Sequence, residues 1–557
     1  MPQRRCIKKV VQSHQKTGAT KIPIYGSNSS NPPMTTYKLA AIFRNPTNND
    51  EFLLVKQNPP PKYNDQEYDS FVDSDLWDLP SAKLSSLSPE ADSSSQAVLK
   101  GEDACSHKLN LRNFDLHSAL AEVLGQVGFG SVSDVEWEFL KFVEEPNFGP
   151  GFTIDTVYVT GDLVPNVGTL KDHCQWSCKE TCFSLLLQVK PDGDRVGPLV
   201  VNGPLKDSMQ SETLKLPPTL HCQEYPPGVN IIPMGSRTAK PYHTTNLIVF
   251  APGNNHIKYE SKFVAQGDAM IVDPGCRSEF NKELAEIVSA LPRKLIVFVT
   301  HHHRDHVDGL STVQKSNPEA CLLVHENTMG RIKKDDWSSG YTTVSGTEEI
   351  CIGGERLRII FAPGHTDGHL ALLHVSTNSL IVGDHCVGQG SALLDINSGG
   401  NMSDYFQSTY KFMDLSPNAL ISLHGRINLW PKHMLCGYLK NRRNREDTIL
   451  KAIEASSRTL FDIVAYTYAD VDRNLWIHAG SNVRLHVDHL HHQNKLPKDF
   501  SVTKFQSTCT AHFFSKWIWA YFKSYINFHF RAAMFLGAVA ASGVAMLYYI
   551  QNNHNSE

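Results

Sequence analysis

No CxxC pair occurs anywhere in the 557 residues, and the twelve cysteines are thinly spread. That usage excludes a disulfide-stapled secreted scaffold and suits a reducing compartment. The tightest group, Cys174, Cys178 and Cys182 in CQWSCKETC, has i, i+4, i+8 spacing and reads as a row along one helix face. Zinc-site spacing is usually tighter, and no fourth ligand is evident beside it. Basic excess is lacking as well. The 53 Lys and Arg against 57 Asp and Glu give a formal net charge of −4, so any nucleic-acid partner must be met by a local patch. The N-terminus has no apolar h-region, which argues against a secretory signal. Residues 1–33 also lack acidic residues while holding Arg4, Arg5, Lys8, Lys9, Lys16 and Lys21. This stretch reads equally as an organelle-targeting leader or as a disordered extension ahead of Met34.

Charge is missing once more from AAMFLGAVAASGVAMLYYI, residues 532–550, a run of 19 residues. About 20 apolar residues span a bilayer core as a helix. Lys516, Lys523 and Arg531 lie on its N-terminal side, with Trp517, Trp519, Tyr521 and Tyr525 as interface aromatics. The expectation is a C-terminal transmembrane helix acting as a tail anchor, with the bulk of the chain on the cytosolic side of a membrane.

What is present is enough for several domains, because one core rarely grows past about 250–300 residues. Tyr37–Phe43 and Phe52–Lys56 read as strands joined by the turn RNPTNND, and DLHSALAEVLGQVGFG as a helix. A Pro- and Gly-rich stretch around 189–229 reads as a linker. From about 230 onward, short apolar runs such as NLIVFAPG, AMIVDPG, KLIVFVT, LRIIFAPG and SLIVGD alternate with helical segments. Runs of that length bounded by turn signals are buried strands, and two sheets around one core with outer helices accommodate them.

The densest chemistry lies in VTHHHRDHVDGL, residues 299–310. The strand KLIVFVT ends just before His301, so the side chains that follow project from a rigid edge. His301 and His303 point the same way in an extended turn, and Asp305 and His306 reach the other side. Further donors close later runs: His365 in APGHTDGH, Asp384 in LIVGDH and His424 in ISLHG. Imidazole and carboxylate are the groups zinc favours, at three or four per ion, so seven donors suffice for two ions sharing a carboxylate. Such a pair makes hydroxide available near neutral pH and stabilises developing negative oxygen. His302 reads as a turn filler, His385 as a neighbour of Asp384 and His325 as structural, while His369 can approach the site. RLHVDHLHHQNK, with His486, His489, His491 and His492, reads as the polar face of a helix in preference to a second metal cluster.

The ordered set His-x-His-x-Asp-His, Gly-His, Gly-Asp and His resembles the metallo-β-lactamase superfamily. TTNLIVFAPG, MIVDPG, THHHRDHVDGL, FAPGHTDGHLAL, GDHCVG and the NRRNREDTIL helix are similar to its lactamase-beta-like protein 2 group, plant-type members in particular. The resemblance covers about residues 230–500. It implies an α/β fold, an αββα sandwich at 230–435 with a small winged-helix-like domain at 440–500. It implies two zinc ions per chain: one held by His301, His303 and His365, the other by Asp305, His306 and His424, with Asp384 bridging. Asp305 is the implied catalytic residue, orienting water as well as ligating, and Asp273 a buttress. At His424 the turn reads SLHGRINLW and departs from the usual Pro-Gly-His-Gly.

The segment 37–210 resembles an α+β Nudix-like domain through its strands, WDLP and the following helix. Only Glu122 stands where the metal-binding box carries several acids, so no diphosphate hydrolysis is expected. A basic leader (1–36), a juxtamembrane segment (501–531) and the membrane helix (532–550) complete the expected organisation. The resemblance implies a metal-dependent hydrolase cutting single-stranded RNA. An acyl or thioester hydrolase and a membrane-tethered binding module are the alternatives, since fold does not fix substrate. Arg442, Arg443, Arg445, Lys451, Arg458 and Lys495 could hold phosphates near the centre or line a solvated helix face.

Overall fold

The computed structural model describes residues 35–61, 73, 75–87, 99–101, 109–163, 170–178, 181, 182, 185, 216–226, 228–252, 262–388 and 390–525. The first unit contains β1 (Thr35–Asn45), β2 (Asn48–Lys56), β3 (Trp77–Asp78), β4 (Ser81–Leu84), α1 (Leu116–Val127), β5 (Val135–Val143), β6 (Thr153–Leu163) and β7 (Cys174–Cys178). These strands form one mixed sheet in the order β3-β2-β1-β6-β5, with β4 also on β1 and β7 on β2. Alternation explains why β1 is apolar on both faces. Leu39, Ala41 and Phe43 pack with Leu120, Val123 and Val127 of α1, whereas Ala40 and Ile42 meet Leu54 and Tyr158 on the other side. Asp115 caps α1, accepting from the Ser118 N–H at 3.0 Å, and the helix stops at Gly128. The CQWSC stretch is strand β7 and not a helix, because its residues pair with β2 from Glu51 to Val55. The three cysteines therefore do not form a helical row.

The second unit runs β8 (Gln223–Glu224), β9 (Val229–Gly235), β10 (Thr244–Phe250), β11 (Ala265–Gly267), β12 (Ala269–Val272), α2 (Asn281–Ala290), β13 (Leu295–Phe298), α3 (Arg304–Val307), α4 (Leu310–Ser316), β14 (Cys321–Val324), α5 (Glu326–Met329), β15 (Tyr341–Thr343), β16 (Glu349–Ile352), β17 (Glu355–Phe361), β18 (Leu370–His374), β19 (Ser379–Gly383), α6 (Met402–Leu415) and β20 (Ala419–Ser422). Two sheets result, ordered β15-β14-β13-β12-β10-β9-β8 and β11-β16-β17-β18-β19-β20. They face one another across a core that joins Ile248, Phe250 and Phe298 to Ile359, Leu372 and Ile381. Leu247, Val249 and Val297 point outward to Leu284, Ile287 and Val288 of α2 and to Leu310 and Val313 of α4. Leu380 and Val382 point outward to Phe412 and Met413 of α6. Both faces of each sheet are thus covered, which is why the strands read as unbroken apolar runs. The expected αββα layering is present.

Helix α7 (Pro431–Glu454) begins with proline at its first turn, where a missing N–H costs nothing. Leu435, Cys436 and Leu439 anchor it to the sandwich. Its second half, Ile449, Ala452 and Ile453, joins the core of a helical unit with α8 (Leu460–Thr467), α9 (Trp476–His492), α10 (Val502–Ser507) and α11 (Ala511–Tyr525). Between α7 and α9 lies Glu446, whose Oε1 accepts from Nδ1–H of His489 at 2.6 Å and of His486 at 3.3 Å. The His489 Nε2 lies 2.9 Å from the Gln493 side-chain amide nitrogen. These histidines buttress two helices. Burial alone would raise the Glu446 carboxyl, but the two imidazole hydrogen bonds outweigh it and bring it down to about 2. Burial brings His486 down to about 4.

Both folded pKa values lie below their unfolded ones, so both groups stabilise the fold at neutral pH and lose that contribution on acidification. His486 loses it from about 6.5 down through 4, and Glu446 from about 4.5 down through 2. E446Q is expected to lower stability at pH 7 by roughly 1.5–3 kcal/mol, the range for a hydrogen-bonded charge, and to flatten the loss below about pH 4.5. Urea midpoints measured for both proteins between pH 3 and 8 test this, and parallel curves would refute the assignment.

The expected transmembrane helix is not supported. Among the described residues no helix is long and apolar enough to cross a membrane. The last described helix, α11, has 15 residues, includes Lys516 and Lys523, and turns Phe513 into the helical core. Residues 532–550, like the leader 1–33, lie outside the described residues.

Candidate metal centre

Five of the seven expected donors follow directly on sandwich strands or the turns they enter, and all seven side chains meet in one recess between the two sheets. The local chain explains this. Strand β13 ends at Phe298, and Thr300 is then held by Asp273 at the end of β12. The Asp273 Oδ1 accepts the Thr300 N–H at 2.7 Å, and Oδ2 accepts the Thr300 hydroxyl at 2.5 Å and His306 Nδ1–H at 2.8 Å. Asp273 is fully buried and has φ +49°, an uncommon conformation for any residue but glycine. On the opposite sheet Gly383 has φ +56°, and a Cβ there would fall 2.4 Å from His369 Nε2. Only glycine lets β19 turn this tightly and swing Asp384 into the recess.

Each imidazole is pinned through one nitrogen and offers the other. His301 Nδ1 lies 3.0 Å from the Thr300 hydroxyl, and His303 Nε2 lies 3.0 Å from the Ser398 hydroxyl. His365 Nδ1 donates to the Leu393 carbonyl and His424 Nδ1 to the Thr244 carbonyl, both at 2.8 Å. Fixing one nitrogen selects the tautomer whose other lone pair faces a ligand.

The free atoms form two sets. His301 Nε2, His303 Nδ1 and His365 Nε2 are 3.0, 3.1 and 3.3 Å apart, with Asp384 Oδ2 at 3.8 and 4.0 Å from two of them. Asp384 Oδ1 lies 3.4 Å from both His306 Nε2 and His424 Nε2, and Asp305 Oδ2 lies 3.2 Å from His424 Nε2. Tetrahedral ligands at about 2.0–2.1 Å from a zinc ion stand about 3.3 Å apart, so both sets have the right size. His306 Nε2 and Asp384 Oδ1 are buried without a well-formed hydrogen bond, as atoms awaiting a cation are. The residues therefore fit divalent metal, with Asp384 as the one carboxylate common to both sets. A third grouping, Asp273 with His301 and His306, reuses the same imidazoles, and the Asp273 oxygens are already taken.

Electrostatics divide the two sets. Burial, then the neighbouring imidazoles, hold His301 well below the usual range, and burial holds His365 there too, leaving both neutral as ligands must be. Burial works against a charge on His424 as well, but Asp384 and Asp305 outweigh it and raise that ring to about 9.

Other residues are placed less centrally. His369 lies buried behind the recess, its Nε2 accepting the Asp384 N–H at 3.2 Å, and so it steadies the shared carboxylate. His385 points away, stacked on Tyr405 and bonded to Thr409. His302 is not among the clustered donors, and His325 caps α5. Ser398 and Thr238, the latter 3.4 Å from His424 Nε2, escaped the sequence reading because lone hydroxyl residues carry no spacing signal. Thr300 was detectable only as the neighbour of His301.

Four of the six residues read as either phosphate-holding or lining a solvated helix face have partners within the protein. Arg442 is buried on Asn482 and the Ala392 carbonyl, and Arg443 bonds the Tyr410 hydroxyl. Arg445 binds the Thr467 carbonyl over the Tyr468 ring, and Arg458 pairs with Asp499. Lys451 and Lys495 are exposed.

Comparison with known proteins agrees with this geometry. Residues 263–416 match the Metallo-beta-lactamase superfamily, and residues 459–499 match the Beta-lactamase associated winged helix domain. A Drosophila melanogaster Beta-lactamase-like protein 2 homolog is 26% identical over 36% of this chain and 69% of its own length. A Gloeobacter violaceus Hydroxyacylglutathione hydrolase is 29% identical over 32% of this chain and 65% of its own. A Claviceps purpurea Atrochrysone carboxyl ACP thioesterase is 24% identical over 50% and 86%. The chain thus carries a metallo-β-lactamase superfamily domain and a β-lactamase associated winged helix domain, and is similar to the beta-lactamase-like protein 2 homologues.

Proposed function

We propose that the chain is a hydrolase using two zinc ions, held by His301, His303 and His365 and by Asp305, His306 and His424, with Asp384 shared. The observation that carries this is the single buried carboxylate whose two oxygens face two separate donor sets. Cations held there would make a water nucleophilic near neutral pH and neutralise the oxygen charge that develops during attack. Asp305, its side chain 14% exposed, is placed to accept a hydrogen bond from the attacking water and aim it at the substrate.

For the substrate we favour an acyl thioester over single-stranded RNA. Arg442 is buried on Asn482 and the Ala392 carbonyl, Arg445 donates to the Thr467 carbonyl and Arg458 is paired with Asp499, so these forks are engaged within the protein and not free to grip phosphates. Two relatives of stated activity are a hydrolase of hydroxyacylglutathione and an acyl-carrier thioesterase. The RNA reading retains one supporting observation, the paired donor sets, since two-metal sites also serve nucleases. The Nudix-like reading of residues 37–210 stays within this proposal. Glu122 is exposed on α1 and Gln126 is tied to the Ser81 backbone, so a supporting role fits that domain better than catalysis.

The zinc-loaded full chain should release thiol from S-acyl-glutathione or acyl-pantetheine esters, lose that activity with chelator or D305A, and leave labelled single-stranded RNA intact. RNA cleavage with thioesters untouched would reverse the substrate assignment.

A further inference from the structure

We propose that the N-terminal domain completes the second metal position by clamping the loop that carries His424. This rests on reading the centre as a metal site. The turn after His424 lacks the usual tight motif, and outside contacts hold it. Within the sandwich, the Gly388 N–H donates to the His424 carbonyl at 2.7 Å, and the Asn246 amide donates to the Ser422 and Gly425 carbonyls, both at 2.8 Å. Two residues further on the chain is taken up by the N-terminal domain.

Three contacts from that domain converge on residues 424–433. Arg426 makes a two-pronged ion pair with Glu145, Nε to Oε1 at 2.7 Å and Nη2 to Oε2 at 2.8 Å, and Nη2 also donates to the Phe152 carbonyl. The two side chains are only 19% and 9% exposed, and the Ile154 N–H donates to Glu145 at 2.7 Å, so both ends of the fork are fixed. A planar fork of this kind sets direction as well as distance. The second contact runs through Tyr242, whose ring lies 5.5 Å from that of His424. Gly149, in the same N-terminal loop as Glu145, abuts that tyrosine so closely that a Cβ would sit 2.9 Å from the ring. In the third, Asp73 accepts the Lys432 and His433 N–H groups at 2.9 Å, capping α7 where the loop enters it.

The rings of both sets are pinned from within the sandwich, His301, His303 and His365 by Thr300, Ser398 and Leu393, and His424 by the Thr244 carbonyl. What differs is the chain that carries them: among the described residues, the hydrogen bonds from the N-terminal domain reach the turn after His424 and not the turns that carry the first set. Loosening the clamp should therefore weaken one metal position and spare the other. A general loss of folding would not produce that asymmetry. Glu145 and Arg426 act as positioning residues for His424, not as ligands.

The test is a cobalt(II) titration of the metal-free full chain followed by visible absorption, which reports each ion's coordination separately, with the metal-free unfolding midpoint measured alongside. E145Q should weaken the second cobalt about 10–100-fold, the usual effect of a supporting residue on metal affinity, and leave the first unchanged. Should E145Q not fold, Asp73→Ala removes only the contact to the Lys432 and His433 N–H groups, leaves the Glu145–Arg426 pair in place and gives the same readout. Wild-type affinity at both positions in a folded variant overturns the clamp, and so does parallel weakening of both. A wild-type chain that takes up no cobalt overturns the metal reading and the clamp together.

Discussion

Asp384→Ala is expected to lower metal content from two equivalents to one or fewer, and to lower kcat/KM by about 1,000-fold or more. The reasoning is geometric. Oδ2 of this carboxylate faces His301 and His365, and Oδ1 faces His306 and His424, so no other side chain serves both sets. In the proposed centre its loss would remove the negative charge that would hold two cations close together, a term of several kcal/mol at about 1.4 kcal/mol per tenfold in rate. Some stability is lost even in chelator, because Oδ1 lies 3.4 Å from both His306 Nε2 and His424 Nε2 and balances the charge that raises the His424 ring. The gap in unfolding temperature between variant and wild type should be modest in chelator and should widen when metal is added. Mass-spectrometric metal counting decides the matter. Two ions retained by Asp384→Ala would mean that the carboxylate does not bridge, and the proposed hydrolytic centre would have to be redrawn.

The clustering of these seven donors was legible in the sequence for a physical reason. Its donors occur where apolar strands stop, and a strand that is buried on both faces announces its end sharply, as at Phe298 and Gly383. Position in the chain therefore stood in for position in space. The same logic failed for CQWSCKETC, where i, i+4 spacing fits a helix and also one face of a strand, and pairing with β2 decided the outcome. It could not choose between readings for the arginines of α7, since a charged residue in a sequence carries no sign of whether its partner is a ligand, water or a carbonyl such as that of Ala392. The contacts on His424 were invisible for a third reason. Glu145 and Arg426 lie 281 positions apart, with no local pattern linking them.

Asp273→Ala is expected to differ from Asp384→Ala in its signature, with a loss of folding stability that is already complete without metal and does not grow when metal is added. Asp273 contacts no outside ligand; its oxygens receive the Thr300 N–H, the Thr300 hydroxyl and His306 Nδ1–H in a site closed to water. Alanine strands those donors. Removing one member of a buried charged network costs about 3–5 kcal/mol. In a domain of this size that corresponds to a drop of roughly 6–20 °C in Tm. The left-handed backbone at φ +49° adds to the cost for alanine and less for asparagine, which tolerates that region and can still accept one of the three hydrogen bonds. The expected order of Tm is therefore wild type, Asp273→Asn, then Asp273→Ala, and it should hold with chelator present. If the three proteins unfold together in chelator and separate only with metal, Asp273 contributes to the ion and not to the turn. The buttress would then have to be assigned to Thr300 and the strand ends alone.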